Sequence, residues 1–152
     1  MPSTYEIRVL NVGDPAAMRG ILSVFGRAFE DDAEPSDSPD DTYLAERLAD
    51  PDAIAIAAIE EGVVVGGLTA HFLRKFGRRE AEIYIYDLAV DEQRRRLGIA
   101  TALIEAVRSE ARARGASVVF VQAHAEDEAA VALYSKLGLR EEVIHFTIDC
   151  EA

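Results

Sequence analysis

Residues 88–100 read Leu88-Ala89-Val90-Asp91-Glu92-Gln93-Arg94-Arg95-Arg96-Leu97-Gly98-Ile99-Ala100. An apolar strand end passes through a short charged turn into the start of a helix. The first amides of a helix have no partner inside it, and the helix dipole adds partial positive charge there, so such an end suits a phosphate. In the pattern Arg95-x-x-Gly98-x-Ala100, the small residues leave the backbone open to close approach, and three arginines add diffuse positive charge. The segment has neither the second glycine of a dinucleotide fingerprint nor the Lys-Ser/Thr of a nucleotide P-loop. A glycine at a strand–helix junction is also an ordinary turn, so this segment by itself leaves both readings open. Just before it, Asp87 is a carboxylate in an otherwise apolar strand, and burial of a charge there needs a reason.

Other chemistry is excluded more simply. Three His and one Cys offer no zinc-ligand spacing, so no metal site is expected. The lone Cys150 cannot form an internal disulfide, and a reduced cytoplasmic thiol is the ordinary reading. Neither an apolar run long enough to span a membrane nor a basic-then-apolar leader is visible. With 16 Lys+Arg against 28 Asp+Glu, the net charge of −12 disfavours nucleic acid as a partner. From Glu30 to Asp52 ten acids face one base, Arg47, so nine of the twelve net negative charges lie in this stretch. Acid runs are commonly a solvated face; the alternative is a mouth that attracts a cationic ligand.

The elements that must position these residues follow from periodicity. The 152 residues, 49% apolar and 29% charged, match one globular domain over 1–152 that buries roughly two-thirds of its unfolded surface. Tyr5–Leu10 alternates as a first strand. Asp14-Pro15 reads as cap and first turn of a helix whose buried face carries Met18, Ile21, Leu22, Phe25 and Phe29. A short helix begins at Asp41 and stops at Pro51. Ala53–Ile59 and Val63–Phe72, separated by Glu60-Glu61-Gly62, form a hairpin pattern. Ala81–Val90 alternates and is rich in β-branched and aromatic residues. Gly98–Arg114 is a helix capped by Gly115, Ser117–Ala123 a buried strand, Ala129–Leu137 a short helix ended by Gly138, and Val143–Asp149 a last strand. This order predicts an α/β fold with a mixed sheet and helices on both faces.

Two motifs within this order carry a family resemblance. Arg95-x-x-Gly98-x-Ala100 resembles the coenzyme A pyrophosphate turn of the GNAT superfamily of N-acetyltransferases. Ala130-Val131-Ala132-Leu133-Tyr134-Ser135-Lys136-Leu137-Gly138 resembles its second signature. The element order is also that superfamily's, which implies the acyl-CoA N-acyltransferase fold, with a twisted, mostly antiparallel mixed sheet. Phe25-Gly26-Arg27, the run from Glu82 to Val90, the run from Arg95 to Ile104, and Arg140-Glu141-Glu142-Val143 look like aminoglycoside 3-N-acetyltransferases of the gentamicin-resistance type. The acidic loop Asp32–Asp41 and His124 depart from that pattern, and both are candidates for the acceptor side.

The resemblance implies acetyl-CoA as co-substrate, held by Leu88, Ala89, Val90, Arg95, Arg96, Gly98, Ile99, Ala100, Thr101, Ala130 and Tyr134. An amine attacks a thioester only when neutral, so a base is required, and the departing thiolate benefits from an acid. Tyr134 is placed by this fold to reach the sulfur; otherwise it is a half-buried tyrosine. A backbone amide near Leu88–Val90, where the fold places a bulge, would hold the oxyanion. Asp87 is the first candidate base and Glu82 the second. Strict alternation puts these two on opposite faces, although a bulge would break that parity. Asp127 could cap the last helix or meet ligand, and His124 could take a proton near neutral pH.

The acceptor set implied is Asp31, Asp32, Glu82, Tyr84, Asp87, His124, Asp127 and Asp149. Acids at Asp31 and beside it would draw in a polycation. The expected activity is acetylation of the 3-amino group of aminoglycosides, giving antibiotic resistance, by a cytoplasmic homodimer. Competing expectations are acetylation of spermidine or of a protein N-terminus, and a non-catalytic acyl-CoA-binding module.

Overall fold

The computed structural model describes residues 4–29 and 38–151. Two compact units follow one another along the chain, Met1–Gln122 and Ala123–Ala152. The first carries a five-stranded sheet in the order β1-β2-β3-β4-β5, where β1 is Glu6–Val9, β2 Ala53–Glu60, β3 Val63–Arg74, β4 Ala81–Val90 and β5 Ala116–Val121. The first four pair antiparallel and β5 pairs parallel to β4, giving the mixed sheet that the element order predicts. Its helices are α1, Pro15–Phe29, α2, Asp41–Ala49, and α3, Ile99–Arg114.

Local chemistry accounts for most of these elements. The β2–β3 hairpin turns through Glu61 and Gly62, both left-handed at φ 50° and 80°, the conformation that lets a two-residue turn match the strand twist. Gly115 ends α3 in the left-handed region and donates its amide back to Arg112 and Ala111. Asp40 caps α2 by accepting the Tyr43 amide at 2.8 Å. Asp14 behaves differently from the expected cap. Its carbonyl accepts the Met18 amide, but its carboxylate is taken by the amide of Asn11 at 2.9 Å, so it braces the preceding turn.

The helices lie on opposite faces of the sheet. Neighbouring strand residues point to opposite sides, and an added Cβ at Gly66 would meet Ile99 of α3, whereas one at Gly67 would meet Ile21 of α1 within 2.6 Å. Glycine at position 67 therefore sets how closely α1 approaches β3. On the α1 side Leu10, Met18, Ile21, Val24, Phe25 and Leu44 pack with Ala55, Ala57 and Ala89 of the sheet. On the α3 side Ile56, Leu68, Ile83, Ile85, Ile99, Leu103 and Val107 are fully buried.

The second unit contains α4, Glu128–Leu137, capped by Asp127, whose carboxylate accepts the Ala130 amide at 3.1 Å. Gly138 closes α4 in an extended conformation, so its amide caps Tyr134 without the left-handed turn expected of a glycine there. The strand expected at Val143–Asp149 does not form: residues 139–149 have no regular structure. Alternation supplies a strand's side-chain pattern but not the ladder partner that satisfies its backbone.

Candidate active site

The turn between β4 and α3 takes the shape its residues suggest. A single helical turn, Glu92–Arg94, leads from β4 to Arg96 and Gly98, which adopt left-handed conformations at φ 64° and 82°. A left-handed residue other than glycine, as Arg96 is, is unusual, and the two left-handed positions flanking Leu97 fold the backbone tightly before α3. The first intrahelical bond runs from the Ala102 amide to the Gly98 carbonyl at 2.9 Å. The amides of Ile99, Ala100 and Thr101 thus have no helical acceptor. A Cβ at Gly98 would meet nothing nearer than 4.0 Å, so the approach to this backbone is open.

The three arginines separate into different roles. Arg94 is neutralised by Glu60 at 2.9 Å. Arg95 donates Nε to the Val90 carbonyl at 3.3 Å, which ties the turn to the strand end. Among the described residues Arg95 and Arg96 form no ion pair, so both charges remain available. Arg27 of α1 donates both its Nε and Nη2 to Asp91 at 3.0–3.2 Å, anchoring the other wall. Val65, Val90, Arg27, Asp91, Arg94 and Arg95 line a groove of about 690 Å³ here. Free amides, unpaired arginines and an unobstructed glycine fit the pyrophosphate of an acyl-CoA.

The catalytic candidates depend on one irregularity in β4. Ile85 lies opposite Ala70 and Asp87 opposite Thr69, leaving Tyr86 as an extra residue between them. This bulge precedes the Leu88–Val90 position expected for it. It shifts the strand's parity by one, and that decides which side chains meet. Directly opposed residues share a face, so Glu82 with Leu73, Tyr84 with His71, and Asp87 with Thr69 all lie on the side that carries Ala89 and packs on α1. The odd separation of Glu82 and Asp87 would otherwise place them on opposite faces.

The same point marks a fork in the sheet. The parallel β4–β5 ladder ends at Ile85–Val121, one residue before the bulge. The Asp91 amide donates to the Val65 carbonyl at 2.8 Å, so by ladder alternation the amides of Ala89 and Asp87 also face β3. Those of Leu88 and Val90 face away from β3, past the end of the β5 ladder. Two amides of one strand thus point into the opening of the fork, the arrangement an oxyanion needs.

Shared facing does not give the two carboxylates the same environment. Glu82 pairs with Lys75 at 3.2 Å, and Lys75 also reaches Glu80 at 3.4 Å. The Asp87 carboxylate has no hydrogen bond or ion pair among the described residues. Burial pushes its carboxyl above the ordinary aspartate range, and the charge of His71 offsets part of that rise. Tyr84 donates its hydroxyl to Gln122 at 2.9 Å and stacks on Phe120 at 4.8 Å, which fixes the floor beside them.

His71 is the residue that sequence reasoning overlooked. It sits diagonal to Asp87 across the strands, with its ring edge-on to Tyr86 at 5.9 Å. Its only signal was equal parity with Thr69 in an apolar run, which becomes informative once the register is known. His71 and Thr69 also line a cavity of about 200 Å³ between this sheet face and the two helices, with Ala53, Ala55, Tyr43 and Arg47. Alternate alanines on β2 create that space, because larger side chains there would fill it.

The remaining candidates distribute differently. In the second unit, burial and then the charge of Asp127 push the Tyr134 phenol above its usual value, so it stays protonated. The Asp127 side chain is engaged in capping α4. The His124 backbone carbonyl accepts the Asp127 amide at 3.0 Å, and Asp149 accepts the Glu151 amide at 2.8 Å. Both of these residues are exposed. Asp31 and Asp32 lie outside the described residues. Of the described acids nearby, Asp40 caps α2, Asp41 pairs with Arg19, Asp50 with Arg47 and Asp52 with Arg74. No cluster of metal-ligating side chains occurs among the described residues. Nor is any of their helices long and apolar enough to cross a membrane.

The turn before α3, the fork and the flanking helices together suit an acyl-CoA-dependent transferase. Residues 18–139 match the acetyltransferase (GNAT) family, and the chain belongs to it. It is similar to the crystal structure of an aminoglycoside acetyltransferase from an uncultured soil metagenomic sample, with 48% identity and a TM-score of 0.92. That match covers 96% of this chain and 98% of the other. A second such aminoglycoside acetyltransferase, in complex with sisomicin, is 30% identical with a TM-score of 0.90 and 95% of each chain covered. An N-alpha-acetyltransferase of Sulfurisphaera tokodaii is 29% identical over 118 residues, 72% of this chain and 71% of that protein. A ribosomal-protein-alanine N-acetyltransferase of Escherichia coli is 35% identical over 63 residues, 41% of this chain. That match spans only 43% of the relative's length.

Proposed function

We propose that this chain transfers acetyl from acetyl-CoA to the 3-amino group of an aminoglycoside of the gentamicin class. The observation that carries the reading is the unpartnered Asp87 carboxylate, held beside the fork where the Leu88 and Val90 amides point outward. Acetyl-CoA, when bound, supplies an activated acyl group on a thioester.

Asp87 accepts the proton that the attacking amine sheds as the new C–N bond forms. Its raised proton affinity brings it closer to an ammonium group's own, which favours the transfer. The Leu88 and Val90 amides stabilise the carbonyl oxygen as negative charge develops on it. The C–S bond then breaks, and the Tyr134 phenol protonates the departing thiolate. Arg95, Arg96 and the open α3 amides hold the pyrophosphate, and Tyr84 positions the acceptor. The acids at Asp31 and Asp32 raise the local concentration of a polycation.

The aminoglycoside acceptor is favoured by likeness over nearly the whole chain to an aminoglycoside acetyltransferase at 48% identity. The test measures free-thiol release from acetyl-CoA with gentamicin, kanamycin, spermidine and a basic peptide. Mass and NMR assignment of the acetylated nitrogen follow. Turnover confined to spermidine or to the peptide would replace the aminoglycoside reading. No turnover with any amine, alongside tight acetyl-CoA binding, would leave a non-catalytic binding module.

A further inference from the structure

An acceptor that binds as an ammonium ion must lose two protons from nitrogen to become an amide. The first leaves as the nitrogen becomes a nucleophile, the second as the new C–N bond forms. A carboxylate holds one proton at a time, so Asp87 must shed the first before it accepts the second. Its surroundings resist that release. Burial raises its proton affinity, and a seated acceptor and acetyl-CoA displace water from its open side.

The neighbouring strand offers a next station. On β3, Thr69 lies directly opposite Asp87, and His71 follows two positions on along the same face. Such a diagonal spans about 7–8 Å between backbones, which side chains and one bridging water close. His71 lines the cavity between the sheet and the two helices, and among the described residues no hydrogen bond or ion pair engages its ring. Its charge is felt by carboxylates on both sides, Asp87 on β4 and Asp50 ahead of β2. The other groups facing it are few. Ala53 of β2 is opposite it, and α1 contributes only Met18 and Leu22 to the cavity. The α2 helix supplies Tyr43 and Arg47, the latter paired with Asp50 at 3.0 Å. From β4 come Tyr86, edge-on to the ring, and Tyr84, whose hydroxyl is given to Gln122. The Asp52 amide, then Arg47 and lastly His71 hold Asp50 below the ordinary aspartate range, so it stays ionised and favours a proton moving outward.

We propose that His71 is a relay that clears Asp87 between the two proton losses, carrying the proton across β3 into the cavity beside α2. The inference rests on Asp87 as the base. Imidazole is the side chain that both takes and gives a proton near neutral pH. The Asp87 carboxyl passes its proton through one water to neutral His71, and the imidazolium releases it to water on the Asp50 side. Asp87 is then a carboxylate again and His71 neutral, ready for the proton shed as the C–N bond forms. No electrons are exchanged, and no co-reactant besides water takes part. His71 meets no reacting atom, so it is a positioning residue that acts through Asp87.

The full-length chain is assayed by free-thiol release with gentamicin, in a buffer too bulky to enter the cavity. His71→Ala should lower kcat about 10–100-fold, with gentamicin KM and acetyl-CoA affinity within about twofold of wild type. Millimolar imidazole should restore most of the lost rate, in proportion to its unprotonated fraction, because removing the ring enlarges the cavity that admits it. His71→Gln fills the same space without carrying a proton, so it should show the loss without the rescue. Should His71→Ala fail to fold, the solvent deuterium isotope effect on kcat decides: it rises in His71→Gln, and an unchanged effect overturns the relay. Full activity in either folded variant, with Asp87→Asn impaired, overturns the relay alone. So does a loss that imidazole leaves in place, or one confined to KM, and His71 is then structural. An unimpaired Asp87→Asn, or a wild type that acetylates no amine, removes the base reading and the relay with it.

Discussion

The two ends of β4 carry the same kind of side chain on the same face, and they have become different chemical objects. At the hairpin end, Glu82 is held by Lys75, which Glu80 also engages. At the bulge end, Asp87 has its charge partly desolvated, with only the longer-range influence of His71 in compensation. A carboxylate with a cation in contact is a poor proton acceptor, because protonation must break the pair. One with a raised proton affinity is poised for it. Residue type is thus a weak guide to role, and environment a strong one.

The sharpest way to break this contrast is to remove both carboxyl charges in parallel. Asp87→Asn should lower kcat/KM about 10²–10⁴-fold, the usual range for a general base, while Glu82→Gln changes it less than about threefold. The wild-type rate should rise with pH through the Asp87 ionisation, which lies above the ordinary aspartate value because of burial. The Asp87→Asn defect should be largest where the amine is mostly protonated, and it should shrink as the free amine fraction grows. Equal defects in the two variants, measured across a pH series, would erase the distinction between the two ends.

Tyr134→Phe extends the comparison to the acid. Its raised phenol value keeps the proton in place at neutral pH. The substitution should reduce kcat about 100-fold with unchanged acetyl-CoA affinity, since general acids act in the transition state. Calorimetric loss of acetyl-CoA binding would recast Tyr134 as a cofactor contact.

The phosphate turn provides a control that touches neither carboxylate. Gly98→Val places a branched side chain at φ 82° and covers the open amides. We expect acetyl-CoA affinity to fall about tenfold or more, with aminoglycoside affinity in its absence unaltered. The left-handed conformation costs a non-glycine residue about 1–2 kcal/mol, so circular dichroism must first confirm the fold. Equal weakening of both ligands would make the turn purely structural.

Stability should show the smallest and most diagnostic difference. A carboxyl whose folded-state proton affinity is raised favours the folded state when protonated. That advantage is present below the unfolded value of 3.8 and is lost as pH rises through the folded one. At neutral pH the ionised Asp87 is therefore a cost, and Asp87→Asn should slightly raise Tm, with the gain vanishing in acid. Glu82→Gln removes the partner of Lys75 and should leave Tm unchanged or slightly lower. Thermal scans at pH 7 and pH 3.5 check both signs, and a lowered Tm for Asp87→Asn at pH 7 would show that its charge stabilises the fold.

Much of this molecule was legible before any coordinate. The hairpin at Glu61-Gly62, the helix between Gly98 and Gly115, and the phosphate turn are set by residues within a few positions of one another. Backbone sterics, caps and side-chain periodicity act over that range, so the residues themselves carry the information. The Asp87 carboxylate stood out for a local reason too, as a charge within an apolar strand. Whether Glu82 shared its face was undetermined, because parity changes at the extra residue Tyr86, and only the pairing with Thr69 and Ala70 reveals it. His71 stayed hidden for the same cause, since it reaches the site through a neighbouring strand. The expected strand at Val143–Asp149 has the right alternation, but residues 139–149 have no regular structure, because alternation alone supplies no ladder partner. Sequence by itself determined the local elements, including the backbone shape of the turn before α3. Register, burial and pairing, which depend on segments distant along the chain, were decided only when the sheet assembled.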